Sequence, residues 1–152
     1  MNRSFTEPLP TASGITVSGF REIAYSPPFE KDLKKLLKRF QSLEEDLEIF
    51  QRVQLILFHK QGLENGGIVR IEGMGQGFLP IFKARKFACR ALKGKGVHSG
   101  IRVIYAYNAE LDRIQYIEIY YKGDQEIETK SRLHDPAYRQ VPVGSVSDKK
   151  TR

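Results

Sequence analysis

Two spacings of apolar side chains run along this chain, and one gives way to the other partway. Phe29, Leu33, Leu36, Leu37 and Phe40 recur at intervals that put them on one stripe of a helix. Ser26 followed by Pro27 starts that helix, because a hydroxyl can cap free N–H groups and proline at the first helical position gives up nothing. Ser42 with Glu45 three residues on reads as a capping box opening a second helix. Its expected stripe is Leu43, Leu47, Phe50, Gln54 and Leu57, widened by Ile49 and Val53. The pair predicts a helical hairpin with an apolar face to bury.

Residues 61–80 then carry six glycines around one short β-prone run, Ile68 to Ile71, which reads as turns and an edge hairpin. Beyond it the period becomes that of strands, over Ile81–Cys89, Gly100–Tyr107 and Ile114–Lys122. Their short connections suit antiparallel neighbours. Residues 124–133 suit a short closing helix. Helices first and strands afterwards predict an α+β layer fold, with the hairpin on one face of a small twisted antiparallel sheet of three to four strands. One domain over residues 20–135 is expected, with Ser-, Pro- and Gly-rich ends at 1–19 and 136–152 reading as loosely held tails.

Strand side chains alternate, so parity sorts the faces. Phe82, Ala84 and Ala88 oppose Lys83, Arg85 and Phe87. Ile101, Val103, Tyr105 and Tyr107 oppose Arg102, Ile104 and Ala106. Ile117, Ile119 and Tyr121 oppose Tyr116, Glu118, Tyr120 and Lys122. The apolar sets must meet the helices, which leaves Lys83, Arg85, Arg102, Glu118, Tyr120 and Lys122 together on a face expected to be uncovered.

Charge sharpens that face. The 152 residues hold 25 Lys and Arg against 18 Asp and Glu, a formal +7. Residues 81–108 contain seven cations and no acid, so this one stretch equals the whole surplus. Such a concentration attracts polyanions or an acidic protein surface. Arginines bind phosphate bidentately and stabilise the added negative charge of a phosphoryl transition state. Lysine or tyrosine can move protons, and aromatic rings can stack on unpaired bases. The same residues also fit a plain Arg102–Glu118 cross-strand ion pair with tyrosines covering sheet surface.

Other chemistries find less support. His59, His98 and His134 lack metal-ligand spacing, so no metal is expected. A single cysteine, Cys89, excludes an internal disulfide framework and reads as a buried thiol. Gly73, Gly75 and Gly77 are followed by Phe78, Leu79 and Pro80 where a nucleotide-binding loop needs a helix. No run reaches 18 apolar residues and the N-terminus has no apolar signal region, so a cytoplasmic protein outside the membrane is expected.

The segments PPFEKDLKKLLKRF, IFKARKFACR, SGIRVIYAY and IQYIEIYYKGDQE, in this order over residues 20–130, resemble the RelE/ParE superfamily of bacterial type II toxin–antitoxin modules, in its RelE-like branch. The resemblance implies a metal-independent, cofactor-free endoribonuclease that cleaves mRNA on the ribosome and is neutralised by a cognate antitoxin protein. It implies a catalytic lysine at Lys83, a phosphate-holding arginine at Arg102 and another cationic or acid–base group at Lys122. Parity adds Arg85 to this catalytic set. Tyr120 and Glu118, with Lys93 and Lys95 of the following loop, complete an expected RNA-binding surface. The chain departs from the family pattern in having Tyr120, Tyr121 and Lys122 where several members place histidine. Relatives of the ParE type poison DNA gyrase on the same fold, so a gyrase-directed binder and a degenerate toxin remain open alternatives at this stage.

Overall fold

The computed structural model describes residues 19–64 and 66–140. In chain order the elements are β1 (Glu22–Tyr25), α1 (Pro27–Leu37), α2 (Leu43–Phe50), a π-helix (Gln51–Lys60), β2 (Ile68–Arg70), β3 (Ile81–Ala84), β4 (Ile101–Asn108), β5 (Arg113–Tyr121), α3 (Lys130–Leu133) and a 3₁₀ turn (Pro136–Tyr138). The sheet has five strands in the order β1-β5-β4-β3-β2. β2 through β5 are antiparallel neighbours, and β1 lies parallel to β5 with Glu22 opposite Arg113. The sheet is therefore mixed and larger than the expected antiparallel three or four strands. β1 has only four residues, and its partner lies about ninety positions away in sequence, so no local pairing signal announces it.

α1 forms as its sequence dictates. The Ser26 hydroxyl accepts from the Phe29 N–H at 3.3 Å, two prolines open the helix, and Phe29, Leu33 and Leu36 are buried. Ser42 does not make the expected capping box. Its hydroxyl donates to Asp46 at 2.6 Å and accepts from the Ala91 N–H at 2.8 Å, which ties α2 to the segment after β3. Buried Asp46 also takes the Arg90 backbone N–H at 3.1 Å and the Arg90 Nε at 2.9 Å, so its charge has a cation and three donors.

Past Phe50 the helix widens to i→i+5 bonding, as in Gln61 N–H to Ile56 O at 3.2 Å. That shift moves the buried stripe. Leu55, five residues after Phe50, is fully buried, while Ile49 and Val53 are exposed. Leu57, expected inside, is only half-buried.

A second register change lies in β5. Ile104 pairs with Glu118 but Tyr105 pairs with Tyr116, so Ile117 is an extra residue in a bulge. Tyr116 thereby turns to the helix side, where its ring stacks on Phe29 with centroids 4.9 Å apart. Ile117 turns to the opposite side. Simple parity reverses these two residues and is correct again from Glu118 onward. β3 likewise stops at Ala84 rather than Cys89, so Phe87 packs against Phe50 in the main core and Ala88 is exposed.

The face expected to be uncovered is covered. Leu79, Ile81, Ile104, Ala106, Ile117 and Tyr120 form a second core with Leu133 of α3 and Tyr138 of the 3₁₀ turn. The Leu79 N–H donates to Tyr138 O at 2.8 Å and the Gln140 N–H to Gly77 O at 2.7 Å. Residues 136–140, placed by sequence in a loose tail, are seated on the sheet. Residues 1–18 and 141–152 of the expected tails lie outside the described residues.

Candidate functional site

Lys83 of β3 stands opposite Ile104 of β4, which stands opposite Glu118 of β5, and Arg102 stands opposite Tyr120. Alternation sends Lys83, Arg102, Glu118 and Tyr120 to the same side of the sheet. Arg85 follows β3 directly, and its backbone carbonyl accepts from Arg102 Nη1 at 3.1 Å. The Arg85 guanidinium donates to Gly66 O at 3.0 Å and is exposed. Lys122 follows β5 and is exposed, with its N–H on Gly100 O at 2.8 Å. Gly100 has φ +90° and faces the Tyr121 ring so closely that a Cβ would come within 3.2 Å of it, so only glycine leads the chain into β4 this way.

The eight expected site residues fall into two groups. Arg85, Arg102 and Lys122 reach solvent along one side of the covering segment. Lys93 and Lys95 are exposed on the loop that feeds β4 just ahead of Arg102. Lys83, Glu118 and Tyr120 instead sit beneath the chain from 124 to 140. Tyr120 is 4% exposed, so its ring offers no face to a base. Glu118 is 2% exposed and turned inward: its carboxylate accepts from the Thr129 N–H and hydroxyl, each at 2.8 Å, and from Gln125 Nε2 at 2.8 Å. The base-stacking and RNA-contacting roles expected of Tyr120 and Glu118 do not fit these positions. The plain alternative of an Arg102–Glu118 ion pair does not form either, since the two side chains bond elsewhere.

Sequence reasoning missed Glu128. Its carboxylate is 6% exposed, lies 2.9 Å from Lys83 Nζ, and accepts from the Tyr120 hydroxyl at 3.4 Å. Burial alone would raise its pKa, but the Lys83 hydrogen bond, its own backbone N–H and nearby cations hold it below the usual carboxylate value. The Tyr120 phenol is pushed up by burial and then by the Glu128 and Glu118 charges, so it stays a neutral hydrogen-bond donor. The only hint in the sequence is that Glu128 ends the acid-rich run after β5, and a charge run ordinarily reads as a solvated face.

Among the described residues no group of three or more His, Cys, Asp and Glu side chains is arranged to hold a metal ion. No helix among them is long and apolar enough to cross a membrane. The arrangement left to solvent is a strip of cations, Arg102 on β4 and the others on the segments just past β3 and β5 and before β4, suited to binding phosphate oxygens.

Fold and site thus define a small mixed α/β protein with a cationic strip around the ends of its three middle strands, beside a covered sheet face. No family profile matches the chain. No curated protein sequence matches it. Among solved structures it is similar to a chain of the archaeal RelE–RelB complex from Pyrococcus horikoshii OT3, at 20% identity over 69% of this chain and 97% of that one, with a TM-score of 0.42. It is also similar to chains of two E. coli DinJ–YafQ complex structures, each at 16% identity over 70% of this chain. These cover 99% and 98% of those chains, with TM-scores of 0.44 and 0.45. Likenesses at such identities concern fold alone.

Proposed function

We propose that this chain is the toxin of a type II toxin–antitoxin pair and acts as a metal-independent endoribonuclease on mRNA at the ribosome, in the cytoplasm, until a cognate antitoxin masks its basic strip. The observation that carries the reading is the placing of Lys83 and Arg102 on one side of the sheet, with Arg102 Nη1 donating to the backbone carbonyl of Arg85 at 3.1 Å. The ordered sequence resemblance to RelE-like toxins points the same way.

In the reaction, the RNA 2′-oxygen forms a bond to the adjacent phosphorus while the bond from phosphorus to the 5′-oxygen breaks. The products are a 2′,3′-cyclic phosphate and a 5′-hydroxyl. One proton passes from the 2′-hydroxyl to solvent water, one reaches the 5′-oxygen, and the donor of the second is reprotonated from water. Arg102 and Arg85 hold the phosphate and the charge that grows on it. Lys122, exposed at the end of β5, supplies the proton to the leaving oxygen. Lys93 and Lys95 draw in the strand by long-range attraction.

The test is inducible expression of the wild-type chain and of Arg102→Ala, with RNA ends mapped in the arrested cells. The expected result is growth arrest with new 5′-hydroxyl ends for wild type and neither for the variant. Arrest without new RNA ends, or cleavage unchanged by the substitution, overturns the reading.

A further inference from the structure

The ion pair under the covering segment does more than join two layers. A lysine side chain on an open sheet samples many rotamers, and ordering it opposes binding. Lys83 is not in that situation. Its ammonium lies 2.9 Å from Glu128, and the same carboxylate oxygen accepts from Tyr120. Glu128 is fixed in turn, because the next residue, Thr129, is gripped through both its N–H and its hydroxyl by the buried Glu118 of β5. Further along, Arg132 is bound by Asp32 of α1, at 2.6 Å through Nη1. A chain of contacts therefore runs from Glu118 through Thr129 and Glu128 to Lys83, with both carboxylates nearly excluded from water.

We propose that Glu128 is a positioning residue: it fixes Lys83 as a standing cation directed at the phosphate of a bound single-stranded RNA, and Glu118 sets where Glu128 stands. The proposal rests on the ribonuclease reading above and narrows the part Lys83 plays in it. An ammonium has three N–H bonds; Glu128 takes one, and the others are left to donate to a phosphate oxygen. Lys83 keeps a partly open surface, at 20% side-chain exposure. Lys83 thus works by its charge and its place, and its preset position lowers the reorganisation needed when the transition state forms.

The experiment uses the full chain, alone for the first readout and with ribosome-bound mRNA for the second. The first is the ¹H–¹⁵N signal of the Lys83 ammonium, assigned with Lys83→Met. It is expected to be protected from exchange in wild type, to broaden to the level of exposed lysines in Glu128→Gln, and to broaden in Glu118→Gln as well. The second is cleavage. Glu128→Gln is expected to lower kcat about tenfold or more and leave KM within about twofold, as loss of an interaction that counts in the transition state does. Glu128→Asp should recover part of the rate, and Lys83→Met/Glu128→Gln should be no slower than Lys83→Met alone.

A protected Lys83 signal that survives Glu128→Gln, or wild-type kcat in that variant, overturns the proposal. So does a double variant that loses the product of the two single factors, since that is the signature of a merely structural pin. A wild-type chain that leaves RNA intact overturns the ribonuclease reading instead, and the ammonium signal then decides the Glu128–Lys83 link by itself.

Discussion

The carboxylate of Asp32 on α1 accepts two bonds from the guanidinium of Arg132, at 2.6 and 3.3 Å, while one of its oxygens also takes the Ile119 N–H at 3.3 Å. One side chain thus closes two openings. β1 pairs with β5 only as far as Tyr116, so beyond that point β5 is a free edge. Ser26, Asp32 and Arg132 supply side-chain bonds to Ile117 O and Ile119 N where a neighbouring strand would have supplied backbone ones.

Asp32→Ala should therefore cost more than a surface ion pair. The pair is partly buried, with side-chain exposures of 27% and 20%. Removing the carboxylate leaves a guanidinium and an edge N–H short of an acceptor, worth about 2–4 kcal/mol. Chemical denaturation reads the loss. Hydrogen exchange should show the fastest new opening at Ile117–Ile119 and α3, and uniform opening of the whole chain would contradict this placement.

The π-helix makes a contrast between two neighbours that an α-helical reading of the same sequence would not. Leu55→Ala should destabilise by about 2–5 kcal/mol, because Leu55 is fully buried. Val53→Ala should change stability by no more than about 0.5 kcal/mol, because Val53 is 49% exposed. Equal losses at the two positions, read from urea midpoints, would show that the buried stripe continues with α-helical spacing.

How much of this was legible in the sequence depends on whether the deciding interaction is local. The α1 stripe from Phe29 to Phe40, the start at Ser26 and the faces of β4 follow from spacing alone, and the structure agrees with them. The π shift after Phe50 and the Ile117 bulge were not legible. Each adds one residue to a turn or a ladder: the π shift turns the later side chains around the axis, and the bulge puts Tyr116 and Ile117 on the faces opposite to those that parity assigns. For the site, parity and the strand register agree in putting Lys83 and Arg102 on one side of the sheet, but parity left that face bare. The cover comes from Leu133 and Tyr138, two apolar residues in polar surroundings on a segment that Arg132 ties to Asp32, about a hundred positions away.

Salt dependence separates the exposed cations from the buried aromatic. Arg85, Lys93, Lys95 and Lys122 are exposed. Each changed singly to Ala should lower the slope of log affinity against log salt for single-stranded RNA by about 0.7. Tyr120→Phe should leave both slope and affinity within error, because that ring is packed in the second core. Fluorescence anisotropy over a salt series measures both. A fall in affinity with Tyr120→Phe would mean that the hydroxyl, through its bond to Glu128, acts in RNA binding.

Acid should weaken the fold over a defined window through His59. Its Nε2 lies 2.8 Å from the Tyr105 hydroxyl, and the rings of Phe20, Phe58, Phe82 and Tyr107 surround it. Burial, and then the charge of Lys60, lower its pKa from 6.5 to about 4. In the unfolded chain the imidazole takes up its proton as pH falls through 6.5, whereas in the folded chain it resists until pH is near 4. Between those values the unfolded state binds more protons, so stability is greatest above the window and declines through it on acidification. Allowing for the ring's partial solvent access, the loss should be on the order of 2 kcal/mol. Thermal unfolding at steps between pH 7 and pH 4 should trace this decline. His59→Gln, which does not titrate, should flatten it while starting from a lower Tm because aromatic packing is lost. A variant whose Tm falls as steeply as wild type across the window would assign the acid sensitivity to other groups.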